Sequence, residues 1–258
     1  PVVAGNNLSP MTFHDLSDII QAITMPGFGT SSRTHSNADS LMKLLGCTCR
    51  EISIVGPTKA MFEALGHDEA NKNVVYENAQ ARTRADILFN VGNAEGAFVV
   101  GTGDLSEAAL GWCTFGGDDL AHYNPNASVP KTLVRELVKN IAATRGGDLG
   151  KVLTDIAETP ISPELVQGQE TEKSVGKYEL IDFAMFFFAK RHAAYSDIKN
   201  LCLAVFEELD EDEIVSTLDR FYDRFKSNRF KRAAVFEGAN LLGFSLPYFP
   251  ADIDYELI

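Results

Sequence analysis

The sequence predicts an α/β fold: a doubly wound parallel sheet with a helical C-terminal extension. Three observations predict it. Short apolar or alternating runs over 18–24, 50–55 and 97–102 interleave with helical spacings over 36–45, 57–65 and 73–92. Strands and helices in that succession make a parallel sheet with right-handed crossovers. The apolar run Ala97-Phe98-Val99-Val100 stops at Gly101-Thr102-Gly103, as buried parallel strands do where they end at a ligand crevice. After Gly146-Gly147 the strand patterns cease and helical ones continue. With 258 residues the chain can bury one sizeable core with an annex. The expected division is a sheet core over 1–145 and a mostly helical extension over 146–258.

Each element has its own signal. Residues 1–16 are poorly patterned, and Leu8-Ser9-Pro10 reads as a turn. Asp18 to Thr24 reads as a strand, broken by Met25-Pro26-Gly27-Phe28-Gly29. Ala38, Leu41, Leu44 and Leu45 share a helical face, ended by Gly46. Arg50 to Val55 alternates as a strand, and Pro57 opens a short helix that Gly66 closes. Asn73 to Gly92 is a long helix, Ala97 to Thr102 a buried strand, Asp104 to Leu110 a short helix and Pro130 to Ala143 a longer one. Val152 to Ala157 is helical, Pro160 and Pro163 make an extended link, and polar Gly168 to Gly176 reads as loop. Tyr178 to Arg191 is the most apolar helix. Its Phe183, Phe186, Phe187 and Phe188 cover more than one face, so it is expected between layers or subunits. Ser196 to Phe206 and Ile214 to Phe225 complete the helices, with an acidic turn and helix start at 207–213 between them.

Composition excludes several classes. A net charge of −13 argues against a nucleic-acid surface. No apolar run approaches the roughly 20 residues of a membrane span, and Pro1-Val2-Val3-Ala4-Gly5 is not a secretory signal. A cytoplasmic protein with free thiols is expected: Cys47-x-Cys49 is too tight for a zinc knuckle, and Cys113 and Cys202 form no second pair. Lys226, Arg229, Lys231 and Arg232 form a basic cluster, suited either to a small polyanion or to a solvated helix end.

Candidate site residues concentrate in residues 101–124, where a bare turn, a helix bearing Glu107 and a second bare turn bearing Asp118 and Asp119 follow the strand. Read by itself this is a site or an ordinary capped helix. Asn78 and Arg82, four apart, leave one helix face. Lys131 sits in a helix's first turn, which favours anions, so it is either a phosphate ligand or a surface lysine.

A resemblance separates these readings. The blocks Tyr76-Glu77-Asn78-Ala79-Gln80-Ala81-Arg82, Gly101-Thr102-Gly103-Asp104-Leu105-Ser106-Glu107, Leu110-Gly111-Trp112, His122-Tyr123-Asn124 and Pro130-Lys131-Thr132-Leu133 occur in order. At this spacing the chain resembles the synthetase domain of glutamine-dependent NAD+ synthetases, over about Asp18 to Arg232. The resemblance implies a Rossmann-like fold of the adenine nucleotide alpha hydrolase type within the ATP pyrophosphatase superfamily. It implies ATP-dependent amidation of deamido-NAD to NAD+ through an acyl-adenylate, with Mg2+ and with ammonia from glutamine or solution. Met25, Thr102 and Lys131 would bind ATP. Asn78, more weakly Arg82, and Glu107, Trp112, Cys113, Thr114, Phe115 and Lys231 would bind deamido-NAD. Glu107 would also hold the metal, and Asp118 would lie near the reacting carboxylate or the incoming ammonia. His122 would be a structural histidine or an acid–base group. A homo-oligomer is implied.

Two departures stand beside the resemblance. No Ser-Gly-Gly-x-Asp-Ser pyrophosphate loop occurs, and its place would be before Asp18. Ser245-Leu246-Pro247-Tyr248-Phe249-Pro250 stands where the family carries Ser-Pro-Arg and Trp-Arg elements. The glutaminase half is also missing. The expectation is that the sequence omits parts of a longer chain carrying that domain. The alternatives are a non-catalytic relative that binds dinucleotide or only builds an oligomer, and an ATP pyrophosphatase acting on a different carboxylate.

Overall fold

The computed structural model describes residues 2–5, 19–162, 165, 166, 171–234, 238–241, 243 and 246. The turn expected at Leu8-Ser9-Pro10, the place of the pyrophosphate loop, Pro163 and residues 247–250 lie outside the described residues. The chain forms two compact units, interleaved in sequence. The first takes Pro1–Thr102, Thr114–Asn124 and Arg135–Glu170; the second takes Gly103–Cys113, Pro125–Val134 and Thr171–Ile258. The division therefore does not fall at Gly146-Gly147, because the chain changes unit at the turns around the predicted site.

The first unit is α/β. Its sheet contains β1 (Val2–Gly5), β2 (Ile20–Thr24), β3 (Thr48–Glu51) and β4 (Ala97–Val100), in the order β3-β2-β1-β4. β2 and β3 pair in parallel. β1 runs antiparallel to both β2 and β4, so β2, β3 and β4 all point one way. The predicted parallel strands are there, with one reversed strand in the middle of the sheet. That strand comes from the stretch read as poorly patterned. It has only Val2-Val3-Ala4 to mark it, too short a run for periodicity to register.

β3 ends before the predicted Val55. Beyond the Thr24↔Glu51 pair, β2 runs into Met25-Pro26, and proline has no N–H to continue a ladder. The two segments stay joined as Ile52 and Ile54 donate to the carbonyls of Thr24 and Pro26, with Ile54 already turning into the next helix. Ile54 is thereby seated in a core with Ile23, Met25, Leu88 and Val99.

Three crossover helices follow from their caps. α1 (Ser32–Leu44) begins earlier than Ser36 because Ser31 caps it, accepting from Thr34 N–H. Gly46, at φ 71, closes it as expected. α2 (Val55–Leu65) ends at Gly66, at φ 63. α3 (Val74–Glu95) opens on the Asn73 cap and ends at Gly96. Phe28, Phe62 and Tyr76 stack with centroids 5.4–6.1 Å apart, tying α2 to α3.

The second unit is helical. It holds α4 (Leu105–Leu110) and the first turn of α5 (Lys131–Arg145), whose remainder lies in the first unit with α6 (Gly147–Glu158). Then come α7 (Thr171–Val175), α8 (Tyr178–Met185), α9 (Tyr195–Val205), α10 (Glu211–Ser227) and α11 (Arg229–Arg232). The predicted loop over 168–176 contains α7, closed by Gly176 at φ 102. The Phe-rich helix continues past Met185 as a π-helical turn, Phe186–Lys190. The wider turn seats Phe188 edge-on against Phe221, Tyr222 and Phe225 and leaves Phe186 exposed. The acidic run is the start of α10, with Asp210 as its cap.

Gly111 ends α4 at φ 57, and a Cβ there would lie 2.2 Å from Asn228 Cβ. Left-handed strain and overpacking together predict that Gly111→Ala costs roughly 2–5 kcal/mol in urea unfolding. A loss within about 0.5 kcal/mol, the usual range of a surface substitution, would contradict this packing.

Candidate active site

α4 is six residues long and locked at both ends. At its start Asp104 accepts from Glu107 N–H while Glu107 Oε2 accepts from Asp104 N–H, a reciprocal capping box. The ammonium of Lys131, the first residue of α5, lies 2.5 Å from Asp104 Oδ2 and 2.6 Å from Glu107 Oε1. Asp104 and Lys131 are well shielded, with side-chain exposures of 3% and 18%, and Glu107 is only partly so at 25%. Burial and the neighbouring Asp104 carboxylate push the Glu107 carboxyl up to about 7, against the pull of Lys131. Burial works against the charged ammonium of Lys131, but Glu107 and Asp104 outweigh it and hold Lys131 above the ordinary lysine value.

Asp182 of α8 completes this cluster. It accepts from Ser106 Oγ–H, from Thr132 N–H at 2.9 Å and from Thr132 Oγ1–H at 2.7 Å. Ser106 Oγ in turn accepts from Lys131 N–H at 2.8 Å. The anion-seeking start of α5 is therefore occupied by the protein's own carboxylate. With the Lys131 and Thr132 N–H groups taken, the Lys131 side chain is what the start of α5 offers. Burial pushes the Asp182 carboxyl up to about 6. The Tyr178 hydroxyl is buried with no hydrogen-bond partner among the described residues, and burial, then Glu107, Asp104 and Asp182, raise it well above the ordinary tyrosine value.

At the other end of α4, cations from α10 and α11 hold its last carbonyls. Arg232 donates to Ala109 O and Phe225 O, Arg224 to Leu110 O, and Lys231 to Gly111 O and Cys113 O at 2.7 Å each. Arg224 also lies over the Trp112 ring, 4.8 Å from its centroid. The Lys231 ammonium thereby fixes the turn that carries Trp112 and Cys113. Arg232, read as part of a surface cluster, is buried at 5% exposure.

The first unit gathers a second group. Asn78 Oδ1 accepts from Thr114 Oγ1–H at 2.8 Å, and Asp118 Oδ1 accepts from Thr114 N–H at 2.7 Å. Arg82 donates to Phe115 O through Nε and Nη2. Asn78 and Arg82 line a cavity of about 470 Å³ with Met61, Leu65, Val74 and Val75. Met25 lines another of about 660 Å³ with Thr24, Asn37, Arg84 and Ile156. Thr102 is exposed just past β4. His122 Nδ1 accepts from Val99 N–H at 2.8 Å, so this histidine pins its loop to β4 in a structural role.

Sequence reasoning missed Asp104, Ser106, Asp182 and Arg224. The Asp-x-x-Glu spacing of a capping box and a lone aspartate inside the most apolar helix were the available signals. Among the described residues no three His, Cys, Asp or Glu side chains converge on a metal site, and no helix is long and apolar enough to cross a membrane.

Lys231→Met keeps the stem and removes both charged hydrogen bonds. It is expected to cost roughly 2 kcal/mol in chemical unfolding. Unchanged stability with a raised KM would instead make Lys231 a substrate contact alone.

A family model described as NAD synthase matches residues 8–234, most of the chain. A glutamine-dependent NAD(+) synthetase of Mycobacterium leprae is 44% identical over 183 residues, 66% of this chain. The match covers 27% of that relative's length, so the chain spans about a quarter of it. An NH(3)-dependent NAD(+) synthetase of Chlorobium phaeobacteroides is 29% identical over 84% of this chain and 70% of its own. The crystal structure of a glutamine-dependent NAD(+) synthetase from Cytophaga hutchinsonii superposes with a TM-score of 0.72 at 16% identity, over 90% of this chain and 38% of that one, a likeness of fold. With a family model matching from Asn78 through the Asp104–Glu107–Lys131 cluster to Lys231, the chain belongs to the NAD synthase family.

Proposed function

We propose that this chain is the synthetase part of an enzyme that converts deamido-NAD to NAD+ at the expense of ATP. The observation that carries the reading is the lysine held between two carboxylates at the starts of α4 and α5, in a chain of this family. A carboxylate is a poor electrophile, so the nicotinate carboxylate first attacks the α-phosphorus of ATP and pyrophosphate leaves. Ammonia then attacks the acyl carbon of the adenylate, loses a proton, and AMP departs with the former carboxylate oxygen.

The residues fit these demands. Lys131 is a cation for ATP phosphate oxygens. Asp104, Glu107 and Lys131 together retain one negative charge when both acids are ionised. That suits Mg2+, which takes one or two carboxylates and completes its shell with water and phosphate oxygens. Glu107, the more exposed carboxylate, would hold the ion, which supplies charge neutralisation on the departing pyrophosphate. Arg224 covers one face of Trp112, leaving the other to stack on the nicotinate ring. We assign Asn78, Arg82, Cys113, Thr114, Phe115 and Lys231 to deamido-NAD, Asp118 to the reacting carboxylate or ammonia, and Met25 and Thr102 to ATP. The cavity beside Met25 has room for the adenosine. A glutaminase domain of the same longer protein, or ammonia from solution, supplies nitrogen, and the working form is a homo-oligomer.

In the complete protein Glu107→Gln is expected to lower NAD+ formation at least about 100-fold while the far-ultraviolet spectrum persists. Near-normal turnover would remove Glu107 from the reaction.

A further inference from the structure

Asp182 is a charged residue buried to 8% exposure on the inner side of a largely apolar helix, and the proposed chemistry gives it no substrate to touch. Its carboxylate joins two helix starts. One oxygen takes the hydroxyl of Ser106, the residue before Glu107, and the other takes the N–H and hydroxyl of Thr132, the residue after Lys131. Ser106 closes the ring by accepting the Lys131 N–H. The side chains of Glu107 and Lys131 meet because the backbones beside them are bound to one carboxylate.

We propose that Asp182 is a positioning residue that sets the Glu107–Lys131 pair in register for the ATP-dependent step. The inference rests on the reading of that pair given above. A carboxylate suits the task because it accepts all three hydrogen bonds, and an asparagine can accept only through its single oxygen. Burial opposes its charge, the hydrogen bonds from Ser106 and Thr132 favour it, and the Asp104 carboxylate at the start of α4 adds repulsion. Burial pushes the carboxyl up to about 6, so the folded state holds this proton to higher pH than the unfolded chain. The stability contributed by this group therefore falls as pH rises from the ordinary carboxylate value to about 6, and is lowest at neutral pH.

The test uses the complete protein at neutral pH. Asp182→Asn is expected to lower kcat about tenfold, with KM for ATP and deamido-NAD changed less than about twofold and the melting temperature unchanged or raised. In a Lys131→Ala background the same substitution should slow turnover by less than about twofold, because it acts through the pair. An Asp182→Asn enzyme with wild-type kcat, or one that slows Lys131→Ala by its full single-variant factor, overturns the proposal. If Lys131→Ala is itself as active as wild type, the reading of the pair falls first and this inference falls with it. Should Asp182→Asn not fold, Thr132→Val decides: a several-fold loss of kcat at unchanged KM supports the role, and unchanged kcat removes it.

Discussion

A lysine ammonium between two carboxylates governs the second unit. Lys131 touches Asp104 and Glu107, and each is also a helix-start residue: Asp104 caps α4, Glu107 closes the capping box and Lys131 begins α5. One cation cannot neutralise two anions; burial and then the Asp104 charge push the Glu107 carboxyl up to about 7, and the two carboxylates hold the lysine firmly protonated. The lysine stays charged between its two carboxylates.

A six-residue helix has little stability of its own. α4 is held by what surrounds it: carboxylates and Lys131 at its start, and Arg224, Lys231 and Arg232 on its final carbonyls. The charges complement the helix dipole at both ends. The result is a rigid platform whose two ends carry Glu107 and Trp112.

Much of this was legible in the sequence because it depends on local chemistry. Gly46 and Gly66 sit where the sequence ends two helices, and both take positive φ. The strand order of direction for β2, β3 and β4 followed from their alternation with helices. What escaped was what long-range contacts decide. β1 has too few residues to show a period, and its reversed direction comes from pairing alone. Lys231 and Arg232 look like any surface cluster, and only the fold reveals that they face carbonyls far away in sequence. Asn78 and Thr114 meet across a separation no spacing rule covers. Asp182 announced itself only as an acid in the wrong company.

The most direct test of the central interaction is a double-mutant cycle on unfolding free energy with Glu107→Gln, Lys131→Met and the pair. The cluster predicts strong coupling, above about 1 kcal/mol, with the double variant losing less than the sum of the singles. Additivity within about 0.3 kcal/mol would mean that the two side chains do not interact, and the account of this site would fail.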